Sequence, residues 1–151
     1  MTSPTRQPAQ ANGTPPAFIP SGFVMRHIVN PITVRLGGPA LVVRGRRSGR
    51  LITTPVPPFE FEGARYLVGG RGETHWVRNL RAAGEGELRR GSRREPFRAV
   101  ELTPDERDHV LSAYRERMGR RVRPLFDALP ESSQHPVFRI EPLAGTEHAG
   151  A

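Results

Sequence analysis

Cysteine is absent from the 151 residues, which excludes disulfides and thiolate metal sites. Lysine is absent too: all 23 basic residues are arginine, against 15 acidic ones, for a net charge of +8. Aromatic residues make up only 7%, with one Trp and two Tyr, so no strand carries the paired aromatics of an RNA-reading sheet. A basic nucleic-acid-binding barrel is therefore the weaker use of this charge, and no nucleic-acid partner is expected. No apolar run approaches the ~18 residues that a membrane helix needs, so no transmembrane segment is expected. The start of the chain, residues 1–17, is polar and Pro-rich and has no apolar signal core. It reads as a disordered tail on a cytoplasmic protein.

Familiar catalytic sets are missing as well. His27, His75, His109, His135 and His148 have no metal-ligand spacing, and no metal is expected. Ser48, Ser112, Ser132 and Ser133 lie in no nucleophile elbow, which argues against a hydrolase triad. Asp105 and Glu106 fall in a helix first turn, where the macrodipole accounts for them. The arginine surface has a bland reading, a solvated face, and a sharper one, a site for an anionic ligand. The planar arginine fork suits bidentate phosphate or carboxylate binding.

The length suits one domain, placed at residues 18–143 between the first tail and a second at 144–151. Phe23, His27 and Val24, Ile28 pair at i, i+4, which predicts an amphipathic helix ending near Pro31. Strand-like runs follow at Ala40–Arg44, at Leu51–Val56 continuing through Phe59–Phe61, and at Arg65–Val68. Residues Thr74–Ala83 have helical spacing; Gly86–Arg90 and Pro96–Leu102 read as a hairpin. Thr103-Pro104-Asp105-Glu106 is a capping-box helix start, with a short helix expected at Arg121–Leu129 and a last strand at Val137–Ile140. The class is α+β, an antiparallel sheet closing into a small barrel.

Two Gly-flanked basic turns stand out. Gly45-Arg46-Arg47-Ser48-Gly49 lacks the Walker lysine, so it is either a solubilising hairpin turn or a phosphate cradle. Gly69-Gly70-Arg71-Gly72 has more glycine than a turn needs, which allows close approach to something flat or bulky. Trp76 and Leu80 share a helix face, Arg78 and Asn79 point elsewhere, and Asn79 is suited either to capping loop backbone or to touching a ligand. No catalytic side chain is assigned.

These motifs, with Thr54-Pro55-Val56 and the lead-in Ile28-Val29-Asn30-Pro31, resemble the deazaflavin (F420)-dependent nitroreductase family of the split β-barrel FMN-binding-like folds. The resemblance implies a six-stranded antiparallel split barrel with flanking helices, and coenzyme F420 as cofactor, with FMN as the alternative. It implies that Arg46, Arg47, Ser48 and Gly49 hold the charged tail or phosphate. Thr54, Pro55 and Val56 would lie along the ring, which Gly69, Gly70, Arg71 and Gly72 help to enclose beside Trp76 and Asn79. The implied reaction is hydride transfer from reduced F420 to a small-molecule electron acceptor, a quinone, nitroaromatic or enone, with bulk water or Tyr114 as proton donor. The alternative is a split barrel that binds FMN, haem or a lipid-like ligand without F420 turnover. Relatives of this fold are often dimers, so the chain is a candidate homodimer.

Overall fold

The computed structural model describes residues 38–143. Both expected tails and the expected helix before Pro31 lie outside them. Seven strands form one antiparallel sheet: β1 (Ala40–Arg44), β2 (Leu51–Thr54), β3 (Phe59–Phe61), β4 (Ala64–Val68), β5 (Glu85–Arg90), β6 (Arg93–Glu101) and β7 (Val137–Pro142). Their order is β2-β1-β5-β6-β7-β4-β3. The helices are α1 (His75–Ala83), α2 (Pro104–Met118) and α3 (Arg123–Ala128).

The strand count differs from the expected six, and prolines are the reason. The run expected as one strand from Leu51 to Phe61 is cut by Pro55-Val56-Pro57-Pro58 into β2 and β3. Proline offers no N–H to a ladder, so pairing stops there. The two halves then lie on opposite edges of the sheet. Thr54 to Phe59 is five Cα steps, which reach at most about 18 Å. A flat seven-stranded sheet would separate its edges by six spacings of about 4.8 Å, roughly 29 Å. The sheet must therefore curl into a split barrel.

Alternation along β4 and β7 feeds two cores. Leu67, Phe138 and Ile140 point into the barrel with Leu41, Val43, Leu88 and Phe97. Their neighbours Tyr66, Val68 and Val137 face outward, under a layer containing Val110, Leu111, Leu125 and Phe126 from α2 and α3. Helix α1 belongs to the barrel, burying Val77 and Leu80 with Trp76 packed against them. The β3–β4 hairpin turns on Glu62 and Gly63, both at positive φ (49° and 77°), as a two-residue primed turn requires.

Strand directions settle where the motifs fall. Arg89 sits opposite Ala40, Glu101 opposite Phe138 and Val68 opposite Val137. The β1–β2 turn and the β4–α1 loop therefore share one end of the barrel. The arginine-rich β5–β6 hairpin lies at the other end. Phe138, 1% exposed at the centre of the barrel core, has no route to collapse if truncated. Phe138→Ala is expected to cost about 3–5 kcal/mol, measured as the shift of the urea midpoint.

Candidate functional site

The turn 45–50 is closed largely by its own groups. Gly45 N–H donates to Arg50 O at 2.7 Å and Gly49 N–H to Gly45 O at 2.9 Å. Ser48 Oγ accepts from Arg50 N–H at 3.2 Å, and Arg44 donates to Gly49 O at 2.6 Å. Arg46 turns inward: its backbone N–H (3.2 Å) and its guanidinium (2.7 Å) both donate to Asn79 Oδ1. Asn79 is 3% exposed, so α1 holds the turn through one buried amide. Arg47, Ser48 and Gly49 remain on the exposed rim.

The glycine loop at 69–72 is explained in part by packing within the chain. A Cβ on Gly69 would come within 3.0 Å of Pro136 O, and one on Gly70 within 3.0 Å of Leu125. The bulky object these two glycines approach is the chain's own C-terminal layer. Gly72, at φ 88°, turns the chain toward α1. Beneath lies His135, fully buried, stacked on Phe126 and with Nε2 2.6 Å from Leu129 O. Burial holds its pKa below the ordinary histidine value. Tyr114, expected beside bulk water as proton donor, packs edge-on to Phe59 at 5.3 Å in this layer. Desolvation pushes its phenol up to about 12, so it stays neutral at physiological pH.

A cleft of about 240 Å³ opens where β2 meets the loop and the start of α1. Its lining is Thr54, Arg71, Glu73, Thr74, Trp76 and Arg78, with His75 at the rim. Thr54, Arg71 and Trp76 of the expected set are thus brought together, with Asn79 and Arg46 tied behind them. Val56 is instead buried in the barrel core, and Pro55 belongs to the linker. Glu73, Thr74, His75 and Arg78 are additions; the signal available in sequence is that Thr74 and Arg78 stand one helical turn apart. Arg81 engages Glu73 at 2.8 and 2.9 Å and Glu101 at 2.7 and 2.9 Å. That fork holds Glu73 below the usual carboxylate range, with the Arg78 charge adding to the effect, so the lining carries Arg71 and Arg78 beside an anionic Glu73. Burial lowers the Arg71 pKa from its ordinary value.

A second groove, about 320 Å³, lies at the far end among Pro57, Pro58, Arg65, Arg89 and Arg93. Arg65 there is paired with Glu95 at 2.7 Å and Arg89 with Glu87. It contains none of the expected site residues.

Two outcomes are expected from this geometry. Asn79→Ala removes the only acceptor of a two-bond, charge-assisted clamp and should cost roughly 1.5–3 kcal/mol in urea unfolding. For His135, the unfolded chain takes up a proton as pH falls through about 6.5 while the folded chain resists it. Stability should be complete above that pH and decline below it, and His135→Gln should flatten that part of a urea-midpoint profile.

The sequence profile described as F420H(2)-dependent quinone reductase matches residues 24–123. No curated protein matches the chain in sequence. Among solved structures, an F420-H2-dependent reductase (FDR-A) is 24% identical, with a TM-score of 0.51 over 68% of this chain and 92% of that one. HutZ, a heme storage protein from Vibrio cholerae, is 14% identical, with a TM-score of 0.53 over 78% and 92%. The conserved hypothetical protein Rv2991 from Mycobacterium tuberculosis is 16% identical, with a TM-score of 0.51 over 83% and 82%. At these identities the structures establish the fold, the split barrel that also serves haem storage. Among the described residues no helix is long and apolar enough to cross a membrane. The profile spans well over half of the sequence, and the chain belongs to the F420H2-dependent quinone reductase family, an oxidoreductase family whose cofactor is coenzyme F420.

Proposed function

We propose that the chain reduces a quinone-type acceptor with F420H2, binding the cofactor in the cleft between β2, the 69–74 loop and the start of α1. One observation carries this reading: the sole Trp and the cations Arg71 and Arg78 line the same cleft at the end of the barrel where both basic turns lie. The cleft is smaller than the roughly 300–1,000 Å³ of a complete ligand site. It suits one portion of a long cofactor, with the rest lying along the exposed rim of the 45–50 turn.

The residues present fit such a cofactor at its charged end. Arg71 and Arg78 would face its phosphate and carboxylates, while Arg47 and Arg50 extend the cationic rim. Arg46 and Asn79 act at one remove, fixing the turn against α1. Trp76 packs against the barrel core, its ring 6.2 Å from that of Phe138, and would give the ring of the cofactor a rigid apolar wall. Thr54 supplies the facing wall from β2. When bound, F420 supplies the hydride chemistry itself; the chain contributes position, charge and exclusion of water. A planar quinone approaching the same opening needs no side-chain nucleophile. Nitroaromatic and enone acceptors satisfy the same chemistry, and turnover with each class distinguishes them.

Titration of the purified chain with oxidised F420, followed by deazaflavin fluorescence, tests this directly. Saturable binding at tens of micromolar or below is expected, and its absence removes the reading. Arg71→Ala and Arg78→Ala should each weaken binding by roughly 10- to 150-fold, the range for a hydrogen bond to a charged group. Arg94→Ala, on the far hairpin, should leave it unchanged.

A further inference from the structure

We propose that the groove at the far end of the barrel is a second ligand site, one that takes an anionic amphiphile. The carboxylate or phosphate head would lie between Arg90 and Arg93, and the apolar body on Pro39, Pro57, Pro58 and Leu88. The site is separate from the cleft beside α1 and is independent of the cofactor reading.

The tip of the β5–β6 hairpin carries a charge pattern that works against its own pairing. Arg89 stands opposite Arg94 and Arg90 opposite Arg93 in the strand register. Like charges directly opposite one another on paired strands are destabilising. Lower on the same strands the pattern differs: Glu87 pairs with Arg89 along β5, and Glu95 pairs with Arg65 of β4 at 2.7 Å. Solubility would be served as well by that mixture of signs, without the repulsion. Arg90, Arg93 and Arg94 are exposed, and among the described residues their guanidinium groups have no hydrogen bond or ion pair.

Side-chain alternation sorts these arginines onto two faces. Leu88 points into the barrel, so Arg90, two residues on, and Arg93 opposite it extend that concave face past the barrel end. Arg94 falls on the other face and lines no part of the groove. The groove, about 320 Å³, falls within the roughly 300–1,000 Å³ of small-molecule sites. Glu60 also lines it, facing Arg65 across β3 and β4, and Arg65 is already held by Glu95. Two adjacent forks without a carboxylate thus stand over a shelf of three prolines and a leucine. An anionic head accepts from both forks and relieves their repulsion, while an apolar body covers the shelf. A small anion would leave the shelf bare, and an uncharged ligand would leave the forks unanswered.

Calorimetric titration of the full chain with octanoate and with octyl phosphate, each below its micelle concentration, tests the site. Saturable binding of at least one is expected, and binding of neither overturns the proposal. Comparable binding of 1-octanol, which lacks the charge, or of acetate, which lacks the tail, also overturns it. Arg90→Ala and Arg93→Ala should each weaken the amphiphile roughly tenfold, the scale of one hydrogen bond to a charged group. Arg94→Ala should leave it unchanged, and urea unfolding verifies that each variant folds. Equal loss in all three variants, or no loss in Arg90→Ala and Arg93→Ala, overturns the assignment to this groove.

Vesicles separate a bound molecule from a charged lipid surface. Sedimentation of the chain with phosphatidylglycerol vesicles but not with phosphatidylcholine ones, without saturable binding of either amphiphile, would overturn the groove in favour of a surface contact. Saturable binding that survives in dilute amphiphile and is lost in Arg90→Ala and Arg93→Ala supports the groove.

Discussion

Four residues, Pro55-Val56-Pro57-Pro58, join strands that lie at opposite edges of a seven-stranded sheet. That tether limits how far apart the edges can stand, and the rest of the structure follows from it. The sheet curls, alternate residues of β4 and β7 are divided between an inner and an outer core, and α1 packs against the barrel interior. Proline suits this position twice over: it ends pairing on β2, and its restricted φ stiffens a link that would lose closure if slack.

The curl also builds the cleft. Thr54, the last residue of β2, is brought over the loop that leaves β4, although 17 residues separate it from Arg71 in sequence. The clamp of Arg46 on Asn79 joins the first basic turn to α1, and the Arg81 fork joins Glu73 to the end of β6. These contacts fix the loops around the opening and hold Glu73 against Arg81. A rigid, cationic cleft walled by Trp76 is thus a consequence of how the edges are tied.

Much of this was legible in the chain. The capping box at Thr103 and the strand-like runs at 40–44, 65–68 and 137–140 are local signals, and each appears where local chemistry puts it. The division of residues 51–61 into two edge strands was not legible, because three prolines announce a break in pairing but not where the next strand will pair. The glycines at 69 and 70 pointed to close approach, yet nothing local reveals that Pro136 and Leu125, more than 50 residues on, are what approaches. Likewise Arg46 and Ser48 carry donors suited to a phosphate, and only the fold shows one tied to Asn79 and the other closing its own turn. Thr74 was read as a helix start; that its hydroxyl stays unpartnered is a tertiary fact.

The central claim is that the end of the barrel carrying the 45–50 turn and the 69–74 loop, and no other, is the cofactor face. Amide hydrogen exchange of the full chain with and without F420 tests it most directly. The account predicts slowed exchange in residues 45–54 and 70–79 and no change in the hairpin at 89–94. Protection of 89–94 without protection of 70–79 would contradict it.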